Sequence, residues 1–292
     1  MIQTTPARRT DVKKYKILLF VGIILFFTGV GVIMYPHISG RIYNKQLNNI
    51  IETHDSSVDD MYQSTDTDDI REEIEKINKE DPDANYTIED YVKDNDIKPK
   101  PEEKKLDWAL VSLLREQVTL YNQELIDQGQ YEMNDPFSYE QPSFDLASYS
   151  VWDNIFGHVT APTINLNMPI YLGANLTNMN LGAAHLSYSS IPIGGESTNA
   201  VLAGHRGIIG KEFFDNIVFL QEGDPVYITN LWETLEYHVV ETKVITPYDI
   251  EQCYIQKGRD LLTLITCHPY GYTDFRYVVI CERTEQGSSV ES

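Results

Sequence analysis

Three side chains in this sequence have types and settings that do chemistry together: a thiol, an imidazole and a guanidinium. Cys267 ends the run Thr263-Leu-Ile-Thr-Cys267, which delivers it to the edge of the turn His268-Pro-Tyr-Gly271. Arg276 stands nine positions later, on the next apolar run. His205 is delivered in the same way by Ala200-Val-Leu-Ala-Gly-His-Arg-Gly207. A cysteine is a nucleophile as its thiolate, which nearby positive charge stabilises. An imidazole can act as general acid and base, and a fixed cation stabilises the charge that builds on an attacked carbonyl. The combination points to a cysteine transpeptidase or hydrolase working through a covalent intermediate.

Each residue also has a plainer reading. A strand-borne cysteine is more often a small buried hydrophobe than a nucleophile, and a histidine at a strand end is usually a surface loop residue. His268 adjoins the thiol, but successive strand residues face opposite ways, so it is expected to line the cleft rather than to move the proton. Cys253 and Cys281 read as unreactive, with a disulfide between them as the lesser alternative. His158, His185 and His238 read as structural.

The elements that must position these groups are mostly strands. Short segments broken by Gly or Pro run through 155–159, 164–166, 169–172, 199–203, 225–229, 234–240, 261–266 and 276–282, with Glu222-Gly-Asp224 marking a turn. Many short strands at near-regular spacing predict a β-barrel or a β-sandwich. A short helix is expected over 212–219. Before the strands, Leu106, Ala109, Leu110, Leu113, Leu114, Val118, Tyr121 and Leu125 recur at helical spacing. They predict an amphipathic helix to about Asp127 with Gly129 as its stop.

The 292 residues carry a formal net charge of -21, which argues against nucleic acid as a partner because phosphates would be repelled. Three cysteines make neither a disulfide framework nor a paired zinc site. Neither an internal repeat nor a phosphate-cradling glycine loop is found, and no metal or organic cofactor is expected. Arg8, Arg9, Lys13, Lys14 and Lys16 precede an uncharged apolar run from Ile17 to about Tyr35. That run is long enough to cross a bilayer as a helix, and the basic flank predicts a cytoplasmic N-terminus with the remainder outside the cell. A cleaved signal peptide is the alternative, but the run lacks an A-x-A site and exceeds a usual h-region. No second apolar run of that length follows. Residues 52–105 are acidic and poor in large apolar groups, which predicts a solvated spacer with one short helix around Ile70, Ile74 and Ile77.

The stretches around His205, Cys267 and Arg276 resemble the sortases, the membrane-anchored cysteine transpeptidases of Gram-positive bacteria. Thr-Leu-Ile-Thr-Cys is similar to the family's TLxTC motif, and the arginine nine positions on has its counterpart there. Leu181-Gly-Ala-Ala-His-Leu186, Ile191-Pro-Ile-Gly-Gly-Glu196, the His205 stretch and Cys-x-Pro-Tyr-Gly resemble class C, the pilin-polymerising sortases. The resemblance implies a mainly β fold, a closed barrel of about eight strands with short helices. An amphipathic helix and a lid would precede the barrel, and a single N-terminal transmembrane helix would anchor it. The implied division is a cytoplasmic segment 1–16, an anchor 17–38, an extracellular spacer 39–105 and a catalytic domain 106–292 with its lid at 130–142. Asp135-Pro136-Phe137 matches the DPF motif of the class C lid. By resemblance Asp135 would pair with Arg276, and Phe137 would cover the Cys267 sulfur. Many class C enzymes carry a second, C-terminal membrane helix, whereas this chain ends in Glu-Gln-Gly-Ser-Ser-Val-Glu-Ser. The acidic segment is also longer than usual, and His268 stands where threonine is frequent.

The implied activity is cleavage of an LPXTG-like sorting motif through a thioacyl-enzyme on Cys267, with Arg276 as oxyanion donor and His205 as acid and base. The acyl group would then pass to a pilin lysine amine, assembling a pilus at the cell surface under control of an autoinhibitory lid. The implied partners are pilins or surface proteins bearing a C-terminal sorting motif. The alternatives are a housekeeping sortase attaching proteins to a cell-wall peptide, a thiol hydrolase, and a non-catalytic scaffold at the pilus base.

Overall fold

The structure, a computed structural model, describes residues 9–130 and 133–283. The expectations for residues 1–8, for Tyr131 and Glu132 within the lid, and for the tail 284–292 lie outside the described residues.

Among the described residues, five helices and eight strands follow one another. Helix α1 (Arg9–Tyr62) is continuous for 54 residues. Its first part is apolar on every side, and Ile17, Leu18, Phe20, Phe26 and Phe27 are each about two-thirds exposed. A helix with no polar face suits a lipid surround. Its second part is different. Leu47, Ile51, His54 and Met61 recur at helical spacing and are buried against the barrel, where His54 Nδ1 meets Asp153 Oδ2 at 2.8 Å.

The segment expected to be a solvated spacer is therefore largely helical, continuing through α2 (Thr65–Glu80) and α3 (Ile88–Asp94). Most of its described acidic side chains, Glu52, Asp59, Asp60, Glu72 and Glu73 among them, are exposed. Ile88 is buried, and a reciprocal capping box between Thr87 and Asp90 starts α3. Helix α4 (Trp108–Gln128) closely matches its expected span. The Asp107 carboxylate caps it by accepting from the Ala109 and Leu110 N–H groups, and Gly129, at φ 86°, ends it. Its apolar stripe, Leu110, Leu114 and Val118, faces the core.

The strands are β1 (Gly157–Ala161), β2 (Leu166–Leu172), β3 (Ala183–His185), β4 (Thr198–Ala203), β5 (Pro225–Asn230), β6 (Thr234–Ile245), β7 (Asp260–His268) and β8 (Phe275–Arg283). They close into a barrel in the order β1-β2-β3-β4-β7-β8-β6-β5. The pairs β2–β3 and β4–β7 are parallel and the rest antiparallel. The expected strand at 164–166 is broken: Ile164 ends a 3-10 turn (Pro162–Ile164), Asn165 takes the left-handed region at φ 53°, and Leu166 already begins β2. The expected helix over 212–219 shrinks to a 3-10 turn, Ile217–Phe219. The three-residue β3 and the short helix α5 (Leu176–Leu181) were not expected, both being too brief to show a period.

Side-chain alternation divides the core in two. Leu202, Leu262, Leu264, Val279 and Cys281 point into the barrel. Val201, Ala203, Leu261, Ile265, Val278 and Ile280 point to the other face, where Phe137 and Tyr139 cover them. That is why β7 is buried along nearly its whole length.

Candidate active site

The same period of two aligns the three groups of interest. Cys267 continues the 261–263–265 face of β7, and Arg276 begins the 276–278–280 face of β8. The two residues are direct partners across the antiparallel ladder. His205 follows β4, the parallel neighbour of β7, whose Ala203 pairs with Ile265. Two threonines of the Thr-Leu-Ile-Thr-Cys run tie these strands together. Thr263 Oγ1 donates to Asn199 Oδ1 at 2.9 Å, and Thr266 Oγ1 donates to the Gly204 carbonyl at 2.7 Å, next to His205. The Phe214 N–H donates to the His205 carbonyl at 2.9 Å and closes the loop behind it. The sequence reading missed these threonines and Asn199; their only signal is their position beside the cysteine and on the facing strand.

Arg276 is almost fully buried, at 4% exposure. Its Nε and Nη2 donate to the two carboxylate oxygens of Asp135 at 2.7 and 2.8 Å. Its Nη1 donates to the Thr273 and Phe275 carbonyls, both at 2.9 Å. This is the forked pairing that a planar guanidinium makes with a carboxylate. Pro136 opens a 3-10 turn, Pro136–Ser138, that sets Phe137 over the guanidinium, 4.7 Å from the ring centre. Phe137 also approaches the His205 ring at 6.2 Å. Tyr139, in the left-handed region at φ 59°, stands 5.9 Å from the same imidazole. Phe213 backs it at 5.5 Å. Tyr139 was not singled out from the sequence. Its hydroxyl is held protonated first by burial and then by the neighbouring Cys267. The segment carrying these groups is pinned at both ends. Gln130 Nε2 donates to the Tyr188 carbonyl at 2.8 Å, and Gln141 Oε1 accepts from the Ser187 N–H at 2.6 Å.

The electrostatics follow from this cover. Burial pushes the Cys267 thiol up to about 11; Asp135 adds to the rise, while Arg276 and Arg206 oppose it. Burial, then the Lys211 cation, lowers the His205 imidazole below its ordinary value. At neutral pH the covered site thus holds a thiol and a neutral imidazole. His268 turns to the opposite face from Cys267. There its Nδ1 lies 3.3 Å from Arg206 Nη1 and its ring 5.8 Å from that of Tyr277. Cys253 and Cys281 are free and fully buried, without a disulfide between them, and burial raises both thiols. His185 is buried on β3, its Nε2 3.1 Å from the Ser190 carbonyl.

Comparison with known proteins bears on the barrel that carries these groups. The model of the sortase domain matches residues 159–284. Sortase A of Listeria monocytogenes is 31% identical over 137 residues, which is 46% of this chain and 60% of that protein. Among solved structures, sortase C-1 from Actinomyces oris is 32% identical with a TM-score of 0.55, covering 60% of this chain and 98% of that one. A pilus-related sortase C of Group B Streptococcus is 31% identical with a TM-score of 0.56, covering 63% and 93%. Matching domain model, barrel and sequence together, the chain belongs to the sortase family.

Proposed function

We propose that this chain is a lid-regulated cysteine transpeptidase of the pilin-joining kind, anchored in the cell membrane by α1 with its barrel outside the cell. The observation that carries the proposal is the forked Asp135–Arg276 ion pair, made by the ladder partner of Cys267. An arginine poised to receive an oxyanion is occupied by a carboxylate of the chain itself. The exposed apolar part of α1, preceded by Lys14 and Lys16, supports the anchor.

The reaction begins when substrate displaces Asp135-Pro136-Phe137. Arg276 regains its donors, and the thiol loses both its cover and the adjacent carboxylate. Its proton passes to His205, and the thiolate attacks the threonine carbonyl of an LPXTG-like sorting motif. Arg276 holds the oxyanion, a contribution of about 3–4 kcal/mol for such a donor. The C–N bond breaks, the His205 imidazolium protonates the departing amine, and a thioacyl-enzyme remains. A lysine amine of a pilin then attacks the thioester and gives its proton to His205. The thiolate leaves as the isopeptide bond forms, and His205 returns the proton to sulfur. Passing through the thioacyl stage lets the two large substrates enter one after the other.

The test is incubation of the full chain with a sorting-motif peptide and a lysine-bearing acceptor peptide, followed by mass analysis. Wild type is expected to give the isopeptide product, and Cys267→Ala none, with its thermal midpoint preserved. Product from Cys267→Ala would refute the assigned nucleophile. A product ending in a free carboxylate, with the acceptor unused, would make the enzyme a hydrolase.

A further inference from the structure

We infer that the loop at residues 207–211 is a second, peripheral contact with the lipid bilayer, set at headgroup depth beside the end of the membrane-crossing part of α1. The inference rests on the proposed reading of α1 as an anchor.

The depth comes from helix geometry. The apolar run ends near Tyr35, and α1 continues through Ser39 without a break. At a rise of 1.5 Å per residue, Ser39 lies about 6 Å beyond Tyr35. The interfacial layer on each side of the hydrocarbon core is about 5–7 Å thick, so Ser39 falls within it and Gly40 at its outer edge. The loop is packed at that point. A Cβ on Gly210, at φ 81°, would stand 3.0 Å from Ser39 Cβ. One on Gly40 would meet Glu212 Oε1 at 3.3 Å. Asn44 Nδ2 donates to Glu212 Oε2 at 2.7 Å, and the Tyr43 and Phe213 rings lie 5.3 Å apart. The loop therefore cannot stand far from the bilayer while α1 spans it.

What the loop presents there is apolar. Ile209 is 75% exposed and Ile208 42%, although the chain as a whole carries 21 excess negative charges. Beside them on α1, Ile38 and Ile42 are each about half exposed. The cations Arg41 and Lys45 are exposed on the same stretch, and Lys211 Nζ lies 5.1 Å from the Tyr43 ring centre. Apolar tips with aromatic and basic neighbours are what a headgroup layer accepts. His205 follows the end of β4 and lies only five residues before Gly210, a chain length of at most about 18 Å. The contact thus holds the active-site entrance next to the lipid surface.

The test uses the full chain in phosphatidylcholine vesicles, on a Cys267→Ala background in which Cys253 and Cys281 are fully buried. Ile209→Cys, Ile24→Cys and Lys257→Cys are each labelled with an environment-sensitive fluorophore. Lys257 is exposed and precedes β7 at the end of that strand remote from Cys267. Lipids with a quencher high on the acyl chain are expected to dim the probes on Ile24→Cys and Ile209→Cys and to leave that on Lys257→Cys unchanged. Quenching on Ile24→Cys with none on Ile209→Cys overturns the loop contact and leaves the anchor standing. No quenching on Ile24→Cys overturns the anchor reading and the inference with it.

Discussion

Releasing Asp135 is predicted to change the chemistry of Cys267 as well as its access. In the covered site the thiol is pushed up to about 11. At pH 8 that leaves a thiolate fraction of about 10⁻³, against about 0.24 for an ordinary thiol at 8.5. Asp135→Ala removes a carboxylate that raises the thiol and the bidentate tie that keeps Phe137 over Arg276. If the thiol returns to its ordinary value, the thiolate fraction at pH 8 rises about 240-fold. A less basic thiolate is also less nucleophilic, with a Brønsted slope near 0.45, which takes back roughly 10–18-fold over the 2.5-unit fall. The net expectation is about 20-fold faster exchange with a small neutral disulfide at pH 8. The midpoint of the pH–rate curve is expected to move from about 11 toward 8.5. Stopped-flow exchange from pH 6 to 11 measures both, with the urea-unfolded chain as reference. Equal rates and midpoints in wild type, Asp135→Ala and Phe137→Ala would refute the argument that this segment holds the thiol protonated.

Arg276→Lys replaces a four-bond guanidinium with a point charge that keeps neither fork nor carbonyl contacts. We expect kcat to fall about 10²–10³-fold with little change in KM, read from initial rates. Asn122 is buried on α4 and bonds both the N–H and the carbonyl of Ile191. Asn122→Ala leaves both groups unpaired and is expected to cost about 2–4 kcal/mol in urea unfolding. Burial lowers His185 to about 4. Its unfolded value is near 6.5, so between pH 6.5 and 4 the unfolded chain binds a proton that the folded one does not. Stability should therefore fall with acidification through that window by up to about 3 kcal/mol, and His185→Gln should flatten the slope.

The local parts of the site were legible because they follow short-range rules. Apolar alternation marked β4, β7 and β8, and the same alternation put Cys267 and His268 on opposite faces. The helical spacing from Leu106 to Leu125 marked α4, with Gly129 as its stop. The second half of α1 was misread for a reason that is now visible. Its acidic residues lie outside, while Leu47, Ile51, His54 and Met61 form a sparse stripe one or two residues wide. Average composition hides such a stripe; its helical period reveals it. Tyr139 was missed because nothing in its neighbourhood names it. Its role in the site comes from a left-handed backbone that turns its ring toward His205.

By itself the sequence determined the candidate reactive side chains, the strands that carry them, the faces they occupy and an apolar segment long enough for a membrane. These depend on residues within a few positions of one another. Only the tertiary structure decided which strands are neighbours: the parallel β4–β7 pair that brings His205 to the end of the strand next to that of Cys267, and the β7–β8 register that sets Arg276 opposite Cys267. It shows the Asp135–Arg276 pair, 141 residues apart, that the resemblance implied, and it alone laid the loop after His205 against α1. Local propensity contains no term for such distant partners. They are selected when the whole chain buries its apolar faces at once and each buried charge must find its counterpart.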